Sequence, residues 1–91
     1  MSKASSDLPR RRDDLEEERI GDDLMVYDRR AGMVHLLNET AARIYRLCDG
    51  SHDPDAMVVD LRGAFRVSGD RDVESDVLGA LRFLSANLLL V

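Results

Sequence analysis

The chain is poor in the residues from which active sites and metal sites are most often built. Its 91 residues include no tryptophan, one cysteine and two histidines. A single cysteine excludes an internal disulfide, and two isolated histidines without paired cysteines offer no zinc-type ligand set. The composition therefore argues against a disulfide scaffold and against a metalloprotein.

Long apolar runs are also missing. The run at residues 88–91 is far too short to span a bilayer, and the first twelve residues lack the apolar segment of a secretory signal. We therefore expect a cytoplasmic protein that makes no membrane contact. The length fits one domain with a small core.

Charge is divided unevenly along the chain. Residues 1–12 carry Lys3, Arg10, Arg11 and Arg12 against Asp7, so a segment of net charge +3 leaves −8 on the remaining 79 residues. The first segment has too little apolar content to fold and is predicted to be a disordered basic tail. Residues 13–91 are predicted to form one acidic domain.

The few reactive side chains are not arranged for chemistry. Cys48 shares a predicted apolar helix face with Ile44, which favours a buried, inert thiol. His35 lies in an apolar strand and His52 follows a glycine turn, and neither has a partner at metal-ligand spacing. We therefore predict that the protein is not an enzyme, with no catalytic residue, no metal and no cofactor.

The domain begins with three predicted strands, at residues 15–20, 24–27 and Met33–Leu37. Glycine and aspartate residues separate them, as tight reversals require. The pattern predicts an antiparallel meander with the third strand at an edge of the sheet.

Three predicted helices follow the strands. Asn38 can cap the first, Asp53 with Pro54 can begin the second, and Asp72 can cap the third after a loop at residues 68–70. The predicted apolar faces are Ala41, Ile44, Leu47 and Cys48; Met57, Val58, Leu61 and Phe65; and Val73, Val77, Ala80, Leu81, Leu84 and Leu88. The fold class is therefore α+β, a winged helix-turn-helix-like arrangement of a three-stranded antiparallel sheet followed by three helices.

A winged-helix frame raises the possibility of DNA binding. The third helix, however, carries Asp72, Glu74 and Asp76 in its first turn, whereas contacts with phosphate and guanine need lysine and arginine. We therefore expect no nucleic-acid partner, and a small transcriptional regulator stays as an alternative function.

The third strand has little of the usual protection of a sheet edge. Residues Met33–Leu37 include no lysine and no proline, and four of the five are strongly apolar. These side chains could simply be core residues, or the edge could be used for docking. The residues alone favour neither interpretation.

Two blocks of sequence carry a family resemblance. They consist of Leu37, Asn38, Thr40, Ala41, Cys48, Asp49 and Gly50, and then of Leu61, Phe65, Asp76, Val77, Leu81, Leu84 and Leu88. Together they resemble the PqqD family, small peptide-binding proteins of peptide natural-product biosynthesis, over roughly residues 14–91. The chain departs from the family at Asn87, where glycine is usual, and at Asp53 and Pro54, where a threonine cap is commoner. Asparagine also tolerates the left-handed conformation.

The resemblance implies a peptide-recognition domain (a RiPP recognition element) in residues 13–91. PqqD-like domains bind the leader segment of a ribosomally made precursor peptide as an added strand on the third strand, beside the third helix, and present it to a modifying enzyme. The site expected on this basis comprises Met33, Val34, His35, Leu36 and Leu37 of the strand and Asp76, Ala80 and Phe83 of the helix.

The partner enzyme is open at this point. The resemblance favours a radical S-adenosylmethionine (radical SAM) enzyme as the partner, and the leader protease of lasso-peptide assembly is the close alternative. A purely structural subunit is a further alternative.

Overall fold

The computed structural model describes residues 8–65 and 72–91. Its elements in chain order are β1 (Glu16–Ile20), β2 (Asp23–Asp28), β3 (Met33–Leu37), α1 (Glu39–Leu47), α2 (Pro54–Phe65) and α3 (Val73–Ala86). The predicted α+β class and its order of three strands and three helices are confirmed. The predicted loop at residues 68–70 and the first seven residues of the predicted tail lie outside the described residues.

The three strands form one antiparallel sheet in the order β1-β2-β3. Val26 of the central strand pairs with Glu17 on one side and with His35 on the other. Successive side chains of a strand point to opposite faces, so Leu24, Val26 and Asp28 share the buried face. As predicted, β3 is an edge strand.

The helices cover that face, and their buried sides agree in part with the predicted apolar stripes. Tyr45 of α1 has the largest side chain in the core and is fully buried, and Ala42 and Ile44 of the same helix are buried as well. Ala41 and Leu47, which were predicted to be buried, are only half-buried. The Tyr45 hydroxyl donates to Glu17 Oε2 at 3.0 Å, which satisfies the one polar atom of this buried ring. The core comprises Leu24, Val26, Leu37, Ala42, Ile44, Tyr45, Cys48, Met57, Leu61, Val73, Val77, Leu84 and Leu89.

The prediction of a disordered tail is wrong for Arg10, Arg11 and Arg12. The Arg11 N–H donates to the Cys48 carbonyl at 2.8 Å, and the Arg12 N–H donates to the Leu89 carbonyl at 3.0 Å. The Arg12 guanidinium also pairs with the buried Asp28 carboxylate at 2.8 Å. The composition of the segment did not indicate this order, because the segment is held by backbone pairing and an ion pair rather than by apolar burial.

The end of α3 also differs from its prediction. The left-handed residue is Leu88, with φ 60°, and Asn87 has an ordinary φ of −95°. The Leu88 side chain is 73% exposed and does not belong to the buried stripe of α3. Leu88 lies outside the stripe because the helix ends at Ala86, two residues earlier.

Within the described residues, the longest helix has 14 residues, and none has both the length and the hydropathy needed to cross a bilayer.

Candidate functional site

The two edges of the sheet differ in charge. The outer strand β1 has the sequence EEERI, and all five of its residues are exposed. The other edge, β3, has the sequence MVHLL, with Val34 56% exposed and Leu36 62% exposed. Charged side chains keep a sheet edge from pairing with another chain, so β1 is protected and β3 is not. In the described parts of the chain no segment pairs with the free edge of β3.

A gap separates β3 from the helix nearest to it. Helix α3 packs against α1 and α2, but every Cα atom of α3 lies more than 8 Å from every Cα atom of β3. An added strand needs about 4.8 Å from its neighbour in a sheet. We call the space between β3 and α3 the β3–α3 groove, and this separation leaves the free edge of β3 uncovered by the α3 backbone.

Two aromatic rings meet across this groove. The His35 ring lies edge-on to the Phe83 ring, with 5.9 Å between their centroids and 85° between their planes. His35 is buried, whereas Phe83 is 42% exposed. Met33, two residues before His35, is on the same face of β3 and is 49% exposed, so this part of the groove presents an apolar surface.

The far end of the groove is a small recess where α1 begins. Asp76, Gly79 and Ala80 of α3 line it from one side, and Asn38, Thr40 and Ala41 line it from the other, around a cavity of about 260 Å³. Asn38 is held in place because its side chain caps α1, accepting from the Ala41 N–H at 2.9 Å. The predicted helix residues Asp76, Ala80 and Phe83 therefore follow one side of α3 along the groove.

The eight predicted site residues divide into three groups by exposure. The Met33, Val34, Leu36 and Phe83 side chains are exposed, those of Asp76 and Ala80 are half-buried, and those of His35 and Leu37 are buried. His35 and Leu37 can therefore offer a ligand little beyond their backbone groups.

Sequence reasoning did not single out Gly79 as part of the site. A glycine inside a helix costs about 1 kcal/mol relative to alanine, and that was the available signal. A Cβ atom added at Gly79 would have no neighbour within 4 Å, so no packing within the described residues requires the glycine. Its lack of a side chain widens the recess.

Two titratable side chains that the sequence singled out, Cys48 and His52, lie at the end of α1 and in the turn after it, away from the groove residues. Burial raises the pKa of the Cys48 thiol to about 11, which keeps it protonated and unreactive near neutral pH. Asp49 raises the pKa of His52 by accepting a hydrogen bond from its ring, at the exposed turn after α1. No cluster of three metal-ligating side chains occurs in residues 8–65 and 72–91.

Comparison with protein families gives a match over residues 14–90. The matching model is described as Coenzyme PQQ synthesis protein D, PqqD. The chain belongs to the PqqD family. The match spans every strand and helix of the PqqD fold described above, so the groove lies wholly inside the family domain. A comparison with curated proteins found no significant match.

Two solved structures share the fold of this PqqD-family domain. One is described as TbiB1 in complex with the TbiA(beta) leader peptide, with 23% identity, a TM-score of 0.73, and coverage of 89% of this chain and 93% of the other. The second is described as lasso peptide synthetase B1 complexed with the leader peptide, with 24% identity, a TM-score of 0.75, and coverage of 92% and 98%. Both confirm the fold.

Proposed function

We propose that this PqqD-family domain captures the leader segment of a ribosomally synthesised precursor peptide and presents it to a modifying enzyme. The observation that carries the proposal is the β3 edge, which is almost uncharged, pairs with no other segment of the described residues, and has all its Cα atoms more than 8 Å from those of α3. An exposed edge of this kind is costly unless it is used, because it can pair with any extended chain.

Strand addition would give the peptide two kinds of contact. Its backbone would bond to the free N–H and C=O groups of β3, which supplies affinity without regard to sequence. Its side chains would alternate between the groove, where Met33 and Phe83 are exposed, and the outer face, where Val34 and Leu36 are exposed. Specificity would therefore rest on apolar residues at every second position of the peptide.

The proposed role is non-catalytic. The half-buried Asp76 and the acidic first turn of α3 favour a peptide over the phosphates of a nucleic acid, which need basic contacts. The two similar structures are both leader-peptide complexes, and one is named as a lasso peptide synthetase B1. For the partner enzyme we therefore place the leader protease of lasso-peptide assembly ahead of a radical SAM enzyme, reversing the order that the sequence suggested.

The test is a binding titration with synthetic leader peptides of precursors encoded beside this gene. Phe83→Asp places a charge in the groove and should weaken binding at least tenfold, whereas Leu78→Asp should leave it unchanged. Leu78 is 49% exposed on the opposite side of the same helix, so the two variants carry the same charge at a similar exposure. Equal affinity of both variants would contradict the proposal, provided that their melting temperatures agree.

A further inference from the structure

A second cavity lies beyond one end of the β3–α3 groove. It has a volume of about 600 Å³ and is lined from one side by Asp28, the last residue of β2, and by Arg30 and Ala31 in the turn that precedes β3. From the other side it is lined by Asn87 and Leu88, immediately after the end of α3. We call this space the hairpin pocket.

Three observations place this pocket next to the Met33 end of the groove. The recess places Asn38, the residue after β3, opposite Asp76 and Ala80, and the ring contact joins the middle of β3 to Phe83. The hairpin pocket joins the turn before β3 to Asn87. β3 and α3 therefore run in opposite directions, and Ala31 and Arg30, which line the pocket, come two and three residues before Met33.

The charged groups of the pocket wall are largely paired with one another. The Arg12 guanidinium donates to Asp28 Oδ2 at 2.8 Å, to Asp14 Oδ2 at 2.8 Å and to the Leu88 carbonyl at 3.1 Å. Arg30 pairs with Asp14 at 2.9 Å. These contacts hold the guanidinium and the carboxylates in the wall, so the surface left to a ligand is largely apolar.

The apolar part of the wall centres on Leu88. This side chain is 73% exposed, and Val91 beside it is 84% exposed. Leu88 holds a left-handed conformation, with φ 60°, which glycine adopts without strain and leucine does not. In the described structure the leucine therefore has an unfavourable backbone conformation, and its side chain buries little apolar surface that could offset this cost.

We propose that the hairpin pocket is a second subsite for the same peptide, which binds apolar side chains of the residues that follow the β3-paired segment past Met33. This inference rests on the proposed function, because the strand on β3 is what directs the chain into the pocket. Leu88 is the residue that would be buried on binding, and the paired charges around Arg12 disfavour a charged side chain there.

The test compares a short peptide with extended ones. Tiled fragments of a precursor encoded beside this gene first locate the shortest segment that binds, with about five residues needed to pair with the five of β3. That segment is then extended by about four residues at its N-terminus or at its C-terminus. Only the extension that passes Met33 should tighten binding, by about tenfold, the effect of burying most of a leucine side chain.

Leu88→Gly should abolish the gain from the extension and leave the affinity of the short peptide unchanged. Leu78→Ala, which truncates another exposed leucine, on α3 and away from the pocket, should preserve the gain. If neither extension tightens binding, or if the gain survives Leu88→Gly, the hairpin pocket is not a subsite although the groove still binds. If no fragment binds at all, the proposed function fails and this inference fails with it.

Discussion

At the scale of single residues, Leu88 is the least expected feature of the chain. The Leu88 N–H donates to the Ser85 carbonyl at 3.0 Å, and the Leu89 N–H donates to the Leu84 carbonyl at 2.9 Å. This pair of bonds is the Schellman motif, in which the left-handed residue is usually glycine. Leu84 and Leu89 are both buried and supply the apolar contact that accompanies the motif.

We expect Leu88→Gly to raise the free energy of unfolding by about 1 kcal/mol, because it removes the left-handed strain and gives up no buried surface. Urea denaturation measures the change. Leu88→Ala is the control: it removes the same exposed side chain but keeps a Cβ in the left-handed conformation, so it should bring little gain. A loss of stability in the glycine variant would contradict this account of Leu88.

The ion pair of Asp28 predicts how the stability of the fold changes in acid. Its carboxylate is buried and accepts hydrogen bonds from Arg12, which lower its pKa below the ordinary 3.8, and Arg12 lowers the pKa of Asp14 in the same way. Because these pKa values are lower in the folded chain than in the unfolded one, the two carboxylates stabilise the fold above about pH 4 and lose that effect as the pH falls further. The melting temperature should therefore fall steeply below pH 4.

The melting temperature of the Arg12→Gln variant should be lower than that of the unaltered protein at pH 7, and it should fall much less on acidification. Thermal melts at a series of pH values measure both. Arg29→Gln, which breaks an exposed ion pair with Glu16, should keep the acid response of the unaltered protein. An unchanged acid response in Arg12→Gln would mean that other carboxylates govern acid unfolding.

At the scale of elements, the N-terminal segment acts as a part of the fold. Arg10 and Arg11 form isolated bridges with Asp49 and Leu90, so the segment lies between the turn after α1 and the C-terminal residues. Gly50 has φ 84° at this crossing, a left-handed conformation that glycine adopts without strain. The segment therefore ties the end of α1 to the residues that follow α3.

Two truncations separate the described part of this segment from the residues before it. Removing residues 1–7 should leave the melting temperature nearly unchanged, because their composition offers little apolar surface to bury. Removing residues 1–12 should lower it by more than about 10 °C, since several backbone hydrogen bonds and the Arg12–Asp28 pair are lost. Equal melting temperatures of the two truncations would contradict the structural role of Arg10, Arg11 and Arg12.

The elements differ in how far the sequence could predict them. Local signals sufficed for β3, whose bounds Met33–Leu37 agree with the prediction, and for α1, where Asn38 is the cap. Tyr45 was missed because the predicted face of α1 was built from smaller apolar residues, and the partner of its hydroxyl, Glu17, is 28 residues away. The pairing of Arg12 with Asp28 and the groove itself also depend on contacts that no local pattern contains.

At the scale of the whole molecule, the asymmetry of the sheet decides where a partner can add. The β1 edge is charged and β3 is not, and only β3 faces the groove in which Phe83 is exposed. A peptide that pairs with β3 must use its N–H groups at alternate positions, because a strand directs them to opposite sides in turn.

Single N-methylation along the bound peptide should therefore weaken binding at every second position and be tolerated between those positions. Binding constants measured for a full set of N-methylated peptides would show this period of two. Loss of binding at every position would instead indicate a helical ligand, and uniform tolerance would indicate contacts made by side chains alone.

The most direct test of strand addition in the β3–α3 groove is an NMR titration of the isotope-labelled domain with a leader peptide that binds it. The account predicts that the largest amide shift changes fall on residues 33–37 of β3 and on the Asp76, Ala80 and Phe83 side of α3, while β1 and α2 stay nearly unchanged. Shift changes concentrated on α2 or on the charged β1 edge, with β3 unaffected, would contradict it.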